Sequence, residues 1–411
     1  MNIDVKVKEL VENSEKKLTA QFKRVDDIAL YNEDKVLSAF RKYEVGQRHF
    51  AQTNGYGYDD IGRDTLCKIY ADVFKCEAAI VSPLIVSGTH ALTLALMGVL
   101  RPNDELIAIS GAPYDTLMEV IKGEGNGSLK DHLVTYKQVD LKDGDFDYDK
   151  IKAAISEKTK MIFMGRSRGY EWRDALSFEQ IKKVCEFIRS IKKDVCIMCD
   201  NCYGEFMDIY EPTEAGVDLM AGSLIKNPGG GIVPTGGYIA GKKQYVDLVG
   251  FRLTSPSIGM EVGSYAYGYK DFYQGFFLAP HIVAQAVKGS LLFGKVFEDL
   301  GFDTMPKVTS APNDIIRSIK FDTKEQLITF CRTIQEISPV DSNLTLEPWD
   351  MPGYEDQVIM AAGSFVAGSS IELSADSPIK EPYIAYLQGG LTYEHVKLAC
   401  MYCVQKLKLI W

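Results

Sequence analysis

Between residues 65 and 240 helical periodicity alternates with short apolar runs, and this alternation limits the possible folds more than any other feature of the chain. Runs at 78–81, 106–110, 133–139, 161–164, 195–199, 219–221 and 237–240 read as strands. Residues 65–74, 89–100 and 177–191 carry helical spacing, the last opening on Ser177 as N-cap with an acidic first turn. Strands alternating with helices predict an α/β domain whose sheet is mostly parallel and covered on both faces. A chain of 411 residues exceeds one ordinary core, so a second domain is expected. A long helix near 280–300 leads into it. There, 307–317 and 365–373 read as strands, and 321–334 and 392–409 as helices, which is an α+β pattern. Residues 1–45 read as a charged helical arm, either solvated or a subunit contact. The expected division is 1–45, 46–285 and 286–411.

Composition narrows the function classes. Hydrophobic residues at 46% and charged residues at 25% match a globular enzyme. A net charge of −10 argues against a nucleic-acid or anionic-membrane partner, while admitting loose cation binding. Residues 84–100 are apolar overall but include Ser87, Thr89, His90 and Thr93, too short and too polar a stretch to span a membrane. The first residues carry no apolar signal core, so a cytoplasmic location is expected. Nine cysteines in a chain this long do not form a disulfide framework. Cys196, Cys199 and Cys202 invite a zinc reading. Cys196 and Cys199, however, fall on an expected strand, where residues three apart face opposite ways, and no histidine lies near. They read as core thiols, as do Cys400 and Cys403 on a helical stripe with Val396 and Leu407, and no metal site is expected.

The chemistry concentrates at Lys226, within Gly222-Ser223-Leu224-Ile225-Lys226-Asn227-Pro228-Gly229-Gly230-Gly231. Among small and apolar neighbours its amine is poorly solvated, can be neutral at working pH, and can attack a carbonyl. Asp200 ends the apolar run 195–199 and reads as a partly buried carboxylate. A Schiff-base lysine and an acid for the ring nitrogen are the two main protein groups that pyridoxal phosphate requires. Tyr114, Arg166, Arg168, Asp200 and Lys226 each lie just past the carboxyl end of an expected strand, the edge at which open α/β sheets bind ligands. Ser87-Gly88-Thr89-His90-Ala91 opens an expected helix; its free N–H groups, with the Thr89 hydroxyl, suit a phosphate, although an ordinary N-cap reads the same. Ser223 can add a hydroxyl, and Tyr114 can stack on a pyridine ring or shuttle a proton.

Ser87-Gly88-Thr89-His90-Ala91, Asp200-Asn201-Cys202-Tyr203-Gly204-Glu205 and Ser223-Leu224-Ile225-Lys226 resemble motifs of the fold-type I pyridoxal-phosphate enzymes of cysteine and methionine metabolism. Gly55-Tyr56-Gly57-Tyr58-Asp59-Asp60-Ile61-Gly62-Arg63-Asp64 and Arg166-Ser167-Arg168-Gly169-Tyr170 point to a closer match. So do Gly368-Ser369-Ser370-Ile371-Glu372-Leu373-Ser374-Ala375-Asp376 and Tyr386-Leu387-Gln388-Gly389-Gly390-Leu391-Thr392-Tyr393. Together they are similar to the bacterial methionine gamma-lyase-like, or aluminium resistance, family over nearly the full length.

The resemblance implies the fold-type I transferase architecture: a mostly parallel seven-stranded sheet with helices on both faces, plus a smaller C-terminal α+β domain. It implies Lys226 as the Schiff-base lysine, Asp200 on the pyridine nitrogen, Gly88, Thr89 and Ser223 on the phosphate, and Tyr114 against the ring. Tyr58 would reach in from a neighbouring subunit, giving a homodimer or homotetramer with shared sites. In the wider superfamily an arginine two residues after that tyrosine helps hold phosphate; here the position is Asp60, with Arg63 further on. Related chains anchor the substrate carboxylate with arginine in a Pro-Ile-Arg context, whereas Pro378-Ile379-Lys380 offers a point charge without a bidentate fork. Arg166 and Arg168 are substitutes for it, or else form a surface basic turn. The implied activity is a carbon–sulfur lyase on a sulfur-containing amino acid, of the cystathionine beta-lyase or methionine gamma-lyase type. The alternatives are aldol cleavage, transamination or decarboxylation with the same cofactor, and a catalytically silent metal-tolerance protein.

Overall fold

The structure is a computed structural model describing residues 3–351 and 356–409. Helices α1 (Val5–Lys16) and α2 (Thr19–Lys42) open it. Asp4 caps α1 by accepting the Lys6 N–H at 2.8 Å. Each helix buries one stripe, Val7 and Val11 on α1 and Val25, Asn32, Val36 and Ala39 on α2, so the charged arm is seated on the body of the protein.

The alternation expected from the sequence follows: α3 (Ile61–Val73), β1 (Ala78–Ser82), α4 (Gly88–Val99), β2 (Glu105–Ala108), α5 (Asp115–Lys122), β3 (Thr135–Gln138), α6 (Tyr148–Ala154), β4 (Thr159–Gly165), α7 (Phe178–Ile191), β5 (Cys196–Asp200), β6 (Leu219–Ser223), β7 (Gly237–Gly241) and α8 (Lys243–Leu253). The seven strands form one sheet in the order β1-β7-β6-β5-β4-β2-β3. β3, β2, β4, β5 and β6 run parallel to one another, and β7 is antiparallel to both β6 and β1. Alternate residues feed two cores. Ile197, Cys199 and Met220 join a cluster with Leu66, Ile181 and Phe276, while Cys196, Met198, Leu219 and Ala221 join one with Leu92 and Val246. Burial on both faces is why these strands read as continuous apolar runs, each large aliphatic side chain contributing about 1.5–3 kcal/mol.

Helix α9 (Lys270–Asp299) starts ten residues before Pro280 and runs unbroken through residue 285 into the second part of the chain. It packs on α1, α2 and α11 (Tyr393–Lys406). By length and apolarity it resembles a membrane span, yet 67% of its most apolar stretch is buried in the fold. Beyond it lie β8 (Asp303–Met305), β9 (Arg317–Phe321), α10 (Lys324–Glu336), β10 (Val358–Ala361), β11 (Ser374–Pro378) and β12 (Tyr383–Gln388). The strands make an antiparallel sheet ordered β10-β11-β12-β9-β8.

Two strand expectations are corrected here. Residues 307–316 are irregular and β9 begins only at Arg317, because Pro306 and Pro312 lack the N–H that a ladder needs. Phe321 ends β9 rather than starting a helix; Thr323 caps α10 with Gln326 in a capping box. Residues 365–373 are also irregular. The Phe365 and Val366 N–H groups donate to the Glu372 carboxylate at 2.8 and 2.9 Å, so a side chain takes the place of a neighbouring strand.

Candidate active site

The carboxyl ends of β4, β5 and β6 lie side by side, with Asp200 between Gly165 and Ala221 in the register. Ser223 ends β6, and Lys226 follows it by three residues. The loop after Lys226 is fixed by direct backbone packing on α9. A Cβ on Gly230 would stand 2.4 Å from the Gly275 oxygen, and one on Gly275 would stand 2.3 Å from the Gly229 oxygen. Side chains at either point would push α9 off the loop, which accounts for the glycine run after Lys226.

Helix α4 docks its first turn against the same edge. Ser87 caps it by accepting the His90 N–H at 3.1 Å, and a Cβ on Gly88 would lie 3.2 Å from Ser223 Cβ and 3.7 Å from Cys202 Sγ. The Tyr114 hydroxyl, at the start of α5, donates to Thr89 Oγ1 at 2.9 Å. Tyr114 also feels the charges of Asp200 and Lys226. Gly88, Thr89, Tyr114, Asp200, Ser223 and Lys226 therefore gather at one edge of the sheet, where hydroxyls and helix-start N–H groups flank an amine and a carboxyl group.

Electrostatics bear on the state of the amine. Burial works against the ammonium of Lys226, but Cys202, Tyr203, Asp200 and Tyr114 favour it, and the balance lifts the amine well above ordinary lysine. Burial also pushes the Cys202 thiol and the Tyr203 and Tyr114 phenols up. The apolar flanking sequence favours a neutral amine, and the acidic groups that the fold gathers around Lys226 act in the opposite direction. Burial raises Asp200 above the usual carboxylate range, while Lys226 and the Cys202 N–H, which donates to Oδ1 at 3.0 Å, pull it back.

Asp200 opens a turn whose backbone is strained at two non-glycine positions, Tyr203 at φ +70° and Phe206 at φ +63°. A buried clamp holds that turn. The Arg166 N–H donates to the Asp200 carbonyl at 3.0 Å, and its guanidinium donates to Asn201 Oδ1 and the Gly204 carbonyl, both at 2.9 Å. Glu211, 3.7 Å from that guanidinium, accepts from Asn201 Nδ2 at 3.1 Å and from the Phe206 N–H at 2.9 Å. From α2, Asn32 and Lys35 donate to the Asp208 and Ile209 carbonyls, each at 3.0 Å.

The remaining candidates fall elsewhere. Arg166 is sealed in that clamp, and Arg168 is buried against Asp314 and the Ile316 and Arg173 carbonyls, so neither forms a surface basic turn and each is committed to internal partners. Lys380 lies on the turn between β11 and β12, its side chain 59% exposed and paired with Asp356 at 2.9 Å. An exposed, ion-paired lysine does not fit the carboxylate anchor expected of it. Tyr58 is 65% exposed beside Tyr56, with ring centroids 5.7 Å apart. Their loop is pinned by Ser264 Oγ to the Gly55 carbonyl at 2.7 Å and by Arg63 to the Gly57 carbonyl at 3.3 Å. Arg63 itself is buried and bonded to Asp64.

A family model described as methionine gamma-lyase matches residues 7–408. The chain belongs to the methionine gamma-lyase family. Within reach of this family, the uncharacterized protein YnbB of Bacillus subtilis is 52% identical over 389 residues, covering 94% of this chain and 92% of YnbB. The crystal structure of a carbon-sulfur lyase involved in aluminum resistance from Clostridium novyi NT shares 48% identity and a TM-score of 0.94, covering 98% of this chain and 96% of that one. The pyridoxal-5'-phosphate dependent protein YhfS from Escherichia coli superposes with a TM-score of 0.63 at 14% identity, over 93% of this chain and 97% of YhfS, a likeness of fold alone. Both the expected family and the expected α/β architecture with a smaller antiparallel sheet are thus found.

Sequence reasoning assigned no role to Tyr203, Ser370 or Glu205. The ring of Tyr203 lies under Lys226, with Nζ 4.1 Å from its centroid, and its hydroxyl is 2.9 Å from Ser370 Oγ. The signal available was adjacency to Asp200 within one motif. Glu205 is wholly buried; one oxygen accepts from the Tyr238 hydroxyl at 2.7 Å and the other has no partner. Burial pushes it up to about 8, against the pull of Tyr238. Because folding raises this acid, the folded protein holds more protons than the unfolded chain between pH 4.5 and about 8. Stability therefore falls as pH rises through that window and levels off above it. Glu205→Gln, which mimics the neutral acid, is expected to flatten that fall, melting on the order of 5 °C above wild type at alkaline pH and level with it at acidic pH. Parallel melting curves at both ends would contradict this assignment of charge.

Proposed function

We propose that the protein is a carbon–sulfur lyase that carries pyridoxal 5'-phosphate on Lys226 and cleaves a sulfur-containing amino acid. One observation carries the reading: the amine of Lys226 and the carboxyl group of Asp200 lie close to the hydroxyls of Thr89, Tyr114 and Ser223 at the carboxyl edge of the parallel sheet. Membership of the methionine gamma-lyase family and the carbon-sulfur lyase activity named for the C. novyi relative support it.

The residues present fit that cofactor. The first turn of α4 with Thr89 and Ser223 forms a donor set for a phosphate, and Gly88 keeps open the space a side chain would fill. Asp200 would hold the proton of the ring nitrogen, and Tyr114 would lie against the ring. When bound, pyridoxal phosphate supplies an aldehyde that condenses with amines and a ring that withdraws electrons from Cα. Lys226 would be the group that takes the Cα proton. A sulfur leaving group at Cβ departs after that single transfer. One at Cγ requires a second proton removal, at Cβ, for which Lys226 and Tyr114 are the groups at hand.

The test is a product profile. Purified protein loaded with cofactor should release thiol and a 2-oxo acid from at least one of cystathionine, cysteine and methionine. Loaded protein that releases neither from any of them would shift the reading to another reaction of the same cofactor. The exposed pair Tyr56 and Tyr58 supports a second part of the proposal, that Tyr58 completes a neighbouring subunit's site. Tyr58→Ala should lower turnover about 10- to 100-fold with an unchanged melting temperature, and sedimentation should give a dimer or larger. A fully active monomer would sink that part.

A further inference from the structure

We infer that Tyr203 is a further catalytic residue of this site: its ring face holds the freed ammonium of Lys226 and so governs how readily that amine gives up its proton. The inference rests on the reading of Lys226 as the cofactor-binding amine. The contact is direct, with Nζ 4.1 Å from the ring centroid, inside the range at which an aromatic face attracts a cation, and both side chains are partly buried.

The ring is not free to turn away. Tyr203 sits at φ +70°, a backbone conformation that a tyrosine adopts only when its surroundings impose it. Its hydroxyl is 2.9 Å from Ser370 Oγ, on the loop preceding β11. That loop touches the lysine segment too, since a Cβ on Gly368 would lie 3.6 Å from Ile225 Cδ1. The second sheet thus steadies the ring beneath the amine.

Other groups around Lys226 do not replace the ring. Cys202, Tyr114 and the Tyr203 hydroxyl are neutral at neutral pH because burial pushes each of them up. Glu205, which also feels Lys226, is largely protonated there for the same reason. Asp200 is the remaining acidic neighbour, and a ring nitrogen set against Asp200 would engage its carboxyl group instead. What then remains to hold an ammonium at Lys226 is the face of Tyr203.

Cofactor-free protein tests this without turnover. Pyridoxal 5'-phosphate is added over a range of pH, uptake is trapped with borohydride, and the mass increment is counted on the Lys226 peptide. Uptake needs the neutral amine, so Tyr203→Leu should move the midpoint of uptake to lower pH by about one unit. Tyr203→Phe, which keeps the ring, should leave the midpoint in place. An unshifted midpoint in Tyr203→Leu, or an equal shift in Tyr203→Phe, would overturn the inference. Melting curves confirm folding, and Tyr203→Met serves in the same comparison if Tyr203→Leu does not fold. A wild-type protein that takes up no cofactor at Lys226 would instead overturn the proposed function, a result distinct from an unshifted variant.

Discussion

Lys226→Ala is expected to abolish the visible absorbance of the cofactor-loaded protein and to lower lyase turnover by at least about 10³-fold. Two roles meet in this one amine: it binds the cofactor aldehyde, and it moves the Cα proton. No nearby group can stand in. Tyr114 is a phenol raised by burial, and the guanidinium of Arg166 is locked in its clamp. The substitution also removes the ammonium that pulls Asp200 down, so the acid should titrate still higher in the variant. Absorbance after cofactor addition and thiol release are the two readouts. A Lys226→Ala protein retaining a tenth of wild-type turnover would refute the central assignment.

The second large effect is on stability. Arg166→Met should destabilise the protein by about 3–5 kcal/mol in denaturant melts, because it leaves Glu211 buried without its cation and frees the strained turn at Tyr203 and Phe206. Arg166→Met combined with Glu211→Leu should recover a good part of that loss, since removing both partners leaves no orphaned charge. The double variant should still bind cofactor less tightly than wild type, as Asn201 and Gly204 lose their donors and the turn bearing Asp200 loosens. A single variant within about 1 kcal/mol of wild type would mean that the clamp is not what holds the turn.

These two sites show what a linear reading can and cannot reach. Lys226, Asp200, Ser223, Gly88, Thr89 and Tyr114 were legible because each follows a strand or opens a helix, and the ends of parallel strands meet along one edge. Arg166 has the same strand-end address and a different fate. Its neighbour in space, Glu211, lies on a loop after β5, and nothing in the local sequence announces that the two side chains turn inward to each other. Lys380 illustrates the converse: a motif position does not say whether a side chain is exposed, and here it is. In the second sheet, β11 reads Ser-Ala-Asp-Ser-Pro and carries little apolar signal, so its strand was missed while the more apolar 365–373 was taken in its place.

What the amino-acid sequence determined by itself is the first, mostly parallel sheet and the line of polar candidate residues along its edge, because strands buried on both faces must be apolar and the polar exceptions at their ends stand out. What only the tertiary structure decided is the set of acidic groups around Lys226, the inward turn of Arg166 and Arg168, and the ring of Tyr203 beneath the amine. Each depends on groups far apart in the chain whose distance sets both the Coulomb energy and the loss of water, and distance in space is the one quantity that a string of residues does not contain.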